Sequence, residues 1–76
     1  MPDTPRLVVG SATFHVLGMG TPVCARAVLL EVHAVAGVAS ARADVATCTL
    51  TVIAASPLDR AEIVAAARRA GHDVAP

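Results

Sequence analysis

Among the cysteine and histidine side chains of this 76-residue sequence, three are candidate ligands for a soft metal ion: Cys24, Cys48 and His72. A thiolate is the form of cysteine that binds a metal, and a neutral imidazole is a common ligand at physiological pH. Cys24 closes the stretch "GMGTPVC", where a glycine-containing loop leads into a predicted helix. Because unpaired N–H groups and the macrodipole of a first helical turn favour an anion, Cys24 is the principal candidate ligand.

Each candidate also has a purely structural interpretation. Cys24 is in step with Val28, as a small buried hydrophobe would be. His72 directly follows the glycine that ends the second predicted helix, where a polar loop residue is common. Cys48 follows a predicted hairpin turn, at the same end of the sheet as Cys24 but toward its opposite edge, which makes it the weaker candidate. A Cys24–Cys48 disulfide is a further alternative, disfavoured in a reducing compartment.

Other residues near the loop are predicted to serve the fold. A cysteine at position 21 would complete a CxxC pair able to clamp one ion, but Thr21 carries a hydroxyl, a poor ligand for a soft metal. We therefore predict that Thr21 is a helix cap. The thioether of Met19 is expected to pack inward, and His15 and His33 are expected on exposed faces.

Composition excludes several classes of function. Six acidic residues balance six arginines, there is no lysine, and Phe14 is the only aromatic residue, so nucleic-acid binding is disfavoured. No apolar run approaches the roughly 20 residues of a membrane span, and the first residues lack the pattern of a signal peptide, which predicts a cytoplasmic protein without membrane insertion. With no catalytic triad or phosphate-binding loop to assemble, an enzyme is not expected.

The elements that position the candidates follow the order β α β β α β. We predict a tail over 1–11, in which "RLVV" can add an edge strand, and one domain over 12–76. Within that domain the patterns predict strands over 12–17, 38–45 and 48–53, helices over about 22–35 and 56–70, and a short last strand in "HDVAP". Pro22 begins the first helix, while Ser56 as N-cap and Pro57 at the first position begin the second.

This order predicts an α+β, ferredoxin-like sandwich: a four-stranded antiparallel sheet with both helices on one face. In that topology three connections lie at one end of the sheet. They carry Cys24, Cys48 and His72.

The sequence resembles the heavy-metal-associated domain family, which comprises small copper chaperones and the amino-terminal domains of copper-transporting P-type ATPases. Gly18, Met19 and Cys24 match its Gly-Met-Thr-Cys-x-x-Cys loop, while Gly20 and Thr21 replace the threonine and the first cysteine. The stretches "ADVATCTLTV" and "AEIVAAARRAGHDV" are similar to the family's hairpin and second helix. The resemblance covers residues 12–75.

Membership of this family would imply a Cu(I) site, with Ag(I), Hg(II) or Zn(II) as further ions, and transfer of the metal to a P-type ATPase or another metal-handling protein. His72 stands where the family has the tyrosine of its "AGY" ending, and some bacterial copper chaperones carry a histidine there. The resemblance thus implies a Cys24 and His72 pair, or a homodimer bridged by one Cys24 from each copy. The alternative is a domain without metal that acts in protein interaction or regulation.

Overall fold

The computed structural model describes residues 7–75 and contains two helices and two antiparallel sheets. The elements in chain order are β1 Leu7–Val8, β2 Ser11–His15, α1 Pro22–His33, β3 Val38–Asp44, β4 Thr49–Ala54, β5 Leu58–Asp59 and α2 Arg60–Arg69. The predicted tail over 1–11 lies partly outside the described residues. Its described part is ordered, since β1 pairs with β5 and Val8 is 4% exposed.

The main sheet has three strands in the order β2-β4-β3, all antiparallel. The predicted four-stranded sheet is therefore not formed in full. The last segment contributes one bridge, Val74 to Val16, flanked by two hydrogen bonds in which Leu17 N–H donates to Asp73 O and Ala75 N–H donates to His15 O, both at 2.8 Å. In the described residues after α2, this single bridge stands where the fourth strand was predicted.

One aliphatic core lies between the main sheet and the helices. Phe14 and Leu50 face each other across β2 and β4, and both are at most 1% exposed. Val28 and Val32 of α1 and Ile63 of α2 are fully buried in the same cluster. The alternating and helical spacings of the sequence account for this, because each places its apolar residues on one side of its element.

Helix α1 begins as predicted. The Thr21 hydroxyl accepts a hydrogen bond from Cys24 N–H at 3.2 Å, and Pro22 occupies the first turn, where no intrahelical N–H bond is lost. The prediction of Thr21 as the N-cap is confirmed. The helix ends at His33, about two residues earlier than expected, and Gly37 turns the chain toward β3 with φ of 96°.

The predicted start of α2 is wrong. Asp59 is the N-cap, its carboxylate accepting from Ala61 N–H at 2.9 Å, rather than Ser56 with Pro57 in the first turn. Leu58 and Asp59 are extended because they pair with β1, and the Leu58 side chain is 6% exposed. This tertiary pairing outweighs the local capping signal and shortens the helix by one turn.

Candidate metal centre

The loop between β2 and α1, residues 16–21 (hereafter the 16–21 loop), is anchored to the core by two buried side chains. Val16 and Met19 are both 0% exposed, which confirms that Met19 packs inward. Between them Gly18 has φ of 76°, a backbone conformation that glycine adopts without steric cost. Since the thioether of Met19 is enclosed by the core, it is not presented to an ion at the surface.

Cys24 lies in the first turn of α1, directly after this loop. It is partly buried and packs against the core, while its backbone N–H is bonded to the Thr21 hydroxyl. Cys24 is therefore neither fully buried, as a packing residue would be, nor fully exposed, as a surface ligand would be. The side chain at position 21 is a hydroxyl that caps the helix, so Cys24 carries the one thiol of this first turn.

His72 is brought onto the same loop from the other side. Gly71, with φ of 90°, ends α2, and the His72 ring then lies with Nδ1 3.0 Å from Leu17 O. A Cβ placed on Gly18 would be 3.5 Å from the same nitrogen, so the ring rests against this glycine. A carbonyl only accepts hydrogen bonds, so Nδ1 is the donor, and in the neutral form of the ring Nε2 holds the lone pair that a metal needs.

Cys48 lies closer to the loop than its sequence position suggested. Its Sγ donates to Met19 O at 3.3 Å, and its carbonyl accepts from Val16 N–H at 2.8 Å. We expected Cys48 toward the opposite edge of the sheet, and this is wrong. Cys48 precedes β4, which is the central strand and is directly paired with β2.

Cys24, Cys48 and His72 thus surround one loop, but they do not form a dense cluster. Within residues 7–75 no group of three or more His, Cys, Asp or Glu side chains is arranged to hold a metal ion. Both cysteines are free, so the disulfide alternative is not formed. The other two histidines are exposed, as predicted, and His33 instead bonds Leu29 O through Nδ1 at 2.9 Å.

Two apolar side chains beside the loop are exposed, and Arg26 lies next to one of them, Val23. Leu17 is 47% exposed and Val23 79% exposed. The nearest ion pair joins Arg68 to Asp73, with 3.3 Å between Nε and Oδ1. In the part of the chain that the structure describes, neither helix is long and apolar enough to cross a membrane.

Comparison with solved structures identifies several similar domains. The N-terminal domain of ZntA in its apo-form is 32% identical, with a TM-score of 0.78 over 87% of this chain and 89% of that one. Its Zn(II)-form is 31% identical, with a TM-score of 0.78 and coverage of 90% and 92%. No protein-family model and no curated protein matches the sequence.

Two copper proteins share the fold at lower identity. The CopZ metallochaperone is 24% identical, with a TM-score of 0.78 over 86% of this chain and 98% of that one. The yeast copper transporter domain CCC2A, solved in apo and Cu(I)-loaded states, is 18% identical, with a TM-score of 0.77 and coverage of 87% and 92%. Each of these matches extends over at least 86% of both chains, so most of the fold is shared with these domains.

Proposed function

Because this chain belongs to the heavy-metal-associated domain family, we propose that it binds a soft metal ion beside the 16–21 loop, with Cys24 as principal ligand and His72 as second ligand. The observation that carries this proposal is the placement of His72. Its ring lies on the loop that leads to Cys24, and its Nδ1–H is taken by Leu17 O. Histidine ligands in metal sites are held by the same kind of contact through the nitrogen that does not bind the metal.

The donor set favours Cu(I) as the ion. Thiolate and imidazole are both ligands that copper accepts, and Cu(I) is stable with few ligands, whereas structural Zn(II) sites use four. The described residues supply no cluster of three donors, so one protein molecule offers too few side chains for a closed zinc site. Ag(I) and Hg(II) also accept few ligands, while Zn(II), seen in a form of the similar ZntA domain, would need further donors from elsewhere.

A site with one thiol also allows two copies to share an ion. Cys24 is the one thiol of the loop and the first turn of α1, and the Cys48 thiol is bonded to Met19 O, so the bridged form takes its second thiolate from the Cys24 of another molecule. Binding would then depend on protein concentration. A Cys24 and His72 pair, in contrast, predicts a one-to-one complex at any concentration.

A site with few protein ligands near the surface suits transfer of the metal ion to a partner rather than its storage. An ion held by two side chains at the rim of the sheet can gain a ligand from a partner before it loses one from this domain. We propose that the partner is a metal-transporting P-type ATPase or another metal-handling protein, reached in the cytoplasm. The exposed Leu17 and Val23 beside the loop provide an apolar surface for that contact.

The same surface supports the second candidate function, a domain that has lost its metal and serves in protein interaction or regulation. Leu17 and Val23 are exposed, and the loop retains one thiol where the family has two. A measurement of Cu(I) affinity distinguishes the two candidate functions, because only the first requires the domain to bind the ion.

The test is a competition titration of the reduced protein with Cu(I) against a chromophoric chelator. We expect Cys24→Ala to abolish competition and His72→Ala to weaken Cu(I) binding by at least the roughly tenfold typical of losing a group that supports a metal site. His33→Ala is the matched control, because it removes an exposed histidine that bonds Leu29 O rather than the loop. A wild-type protein that competes no better than Cys24→Ala refutes metal binding.

Light scattering with and without Cu(I) then distinguishes the two forms of the site. A doubled mass on metal addition supports the bridged dimer, and a monomer in both states supports the Cys24 and His72 pair.

A further inference from the structure

Cys48 joins the central hairpin to the 16–21 loop through both its backbone and its side chain. Its carbonyl accepts from Val16 N–H at 2.8 Å, and its thiol donates to Met19 O at 3.3 Å, with Val45 O as a more distant acceptor at 3.8 Å. The two bonds to the loop lie three residues apart on the chain. Together they fix the start of the loop and the peptide between Met19 and Gly20.

The backbone at Cys48 has an unusual conformation. Its φ is 54°, and it is the one non-glycine residue with positive φ within residues 7–75; the four others in that region are glycines. A side chain in this conformation costs free energy that glycine avoids. Such a conformation persists when the surrounding structure holds it, and here Cys48 is held by its bonds to Met19 O and Val16 N–H.

We propose that Cys48 is a positioning residue for the metal loop and not a ligand of the metal. A thiol that donates to a carbonyl carries its proton, whereas a metal-bound cysteine is a thiolate and has none to donate. Cys48 therefore cannot do both at once. By donating to Met19 O, Cys48 keeps the 16–21 loop in the conformation that presents Cys24. The importance of this contact for metal binding rests on the proposed function.

The first test needs no metal and so is independent of that function. NMR of the apo protein follows the Met19 carbonyl and the Gly20 amide, the two sides of the peptide that the thiol holds. In Cys48→Ala and Cys48→Gly we expect the carbonyl resonance to move and Gly20 N–H exchange to quicken about fivefold, the factor set by one lost hydrogen bond. Cys48→Ser retains a donor and is expected to stay close to wild type.

The variants also separate positioning from stability. Cys48→Gly removes the donor and relieves the positive φ, while Cys48→Ala removes the donor and keeps the strain, so the glycine variant is expected to unfold at the higher temperature of the two. Both nevertheless lose the bond to Met19. Thr47→Ala is the control within the same turn, because its hydroxyl bonds Thr49 at 2.8 Å and not the loop.

The second test is the Cu(I) competition titration of the same variants. Affinity is expected to fall about fivefold in Cys48→Ala and Cys48→Gly and to be retained in Cys48→Ser and Thr47→Ala. If wild type does not bind Cu(I), the proposed function fails while the apo NMR result still decides the role of Cys48. The positioning role is refuted if the alanine variant leaves the Met19–Gly20 peptide unchanged, or if the serine variant behaves like alanine.

Alkylation of loaded protein with iodoacetamide decides whether Cys48 becomes a ligand. Mass spectrometry is expected to show that Cu(I) protects Cys24 and leaves the modification rate of Cys48 as it is in the apo form. Protection of both thiols refutes the proposal.

Discussion

Replacing Thr21 with cysteine tests the capping role and the missing thiol in a single variant. The Thr21 hydroxyl accepts from Cys24 N–H, and cysteine is a weak acceptor, so Thr21→Cys leaves this N–H without a good partner. Loss of an N-cap typically costs about 1 kcal/mol of stability. For a domain of this size, that lowers the unfolding temperature by roughly 4–8 °C.

The same substitution provides a second thiol three residues before Cys24, so both sulfurs lie at the start of α1. A ligand that binds only the folded state stabilises it by RT ln(1 + [L]/Kd), about 2.7 kcal/mol when its free concentration is 100 times Kd. This gain exceeds the cost of the lost cap. We therefore expect Thr21→Cys to be less stable than wild type without metal and more stable than metal-free wild type once Cu(I) is added.

Thermal unfolding of the reduced proteins by circular dichroism, with and without Cu(I), measures both effects. Thr21→Ser keeps the cap without a new thiol and is expected to match wild type; Thr21→Ala loses the cap and gains nothing. If Thr21→Cys unfolds at the wild-type temperature without metal, the cap contributes no stability. If Cu(I) raises its unfolding temperature no more than that of Thr21→Ala, the added sulfur is not a ligand and the loop geometry proposed here is wrong.

The remaining predictions concern the scaffold and are checked by urea unfolding. Leu50→Ala empties a fully buried position and should destabilise the protein by about 2–5 kcal/mol, whereas Leu30→Ala, at a position 67% exposed, should change stability by less than about 0.5 kcal/mol; equal effects would contradict the assigned core. Gly37→Ala places a Cβ 3.3 Å from the Leu58 side chain at φ of 96° and should destabilise by more than about 1 kcal/mol. Its control, Gly20→Ala, meets no atom within 4 Å and should be neutral or slightly stabilising.

Local signals in the sequence determined most of the helices and strands, and the part of the candidate site where the 16–21 loop meets α1. The apolar stripe of α1, the alternation in β2 and the threonine before Pro22 are properties of a few neighbouring residues, and each predicts its structure without knowledge of the rest. The same locality made Thr21 predictable as a cap, because its partner, Cys24 N–H, is only three residues away. The loop itself was recognisable from its resemblance to a family, although one of the family's two thiols is missing.

Tertiary structure alone decided the features that depend on distant pairing. Asp59 caps helix α2 because Leu58 and Asp59 pair with Leu7 and Val8, about fifty residues away along the chain. Cys48 reaches Met19 because the strand that follows it, β4, is the central one of three, a matter of strand order rather than of any local pattern. The tautomer of His72 follows from a carbonyl 55 residues distant, Leu17 O. Local spacing cannot encode such contacts, since they exist only when the core has brought the two segments together.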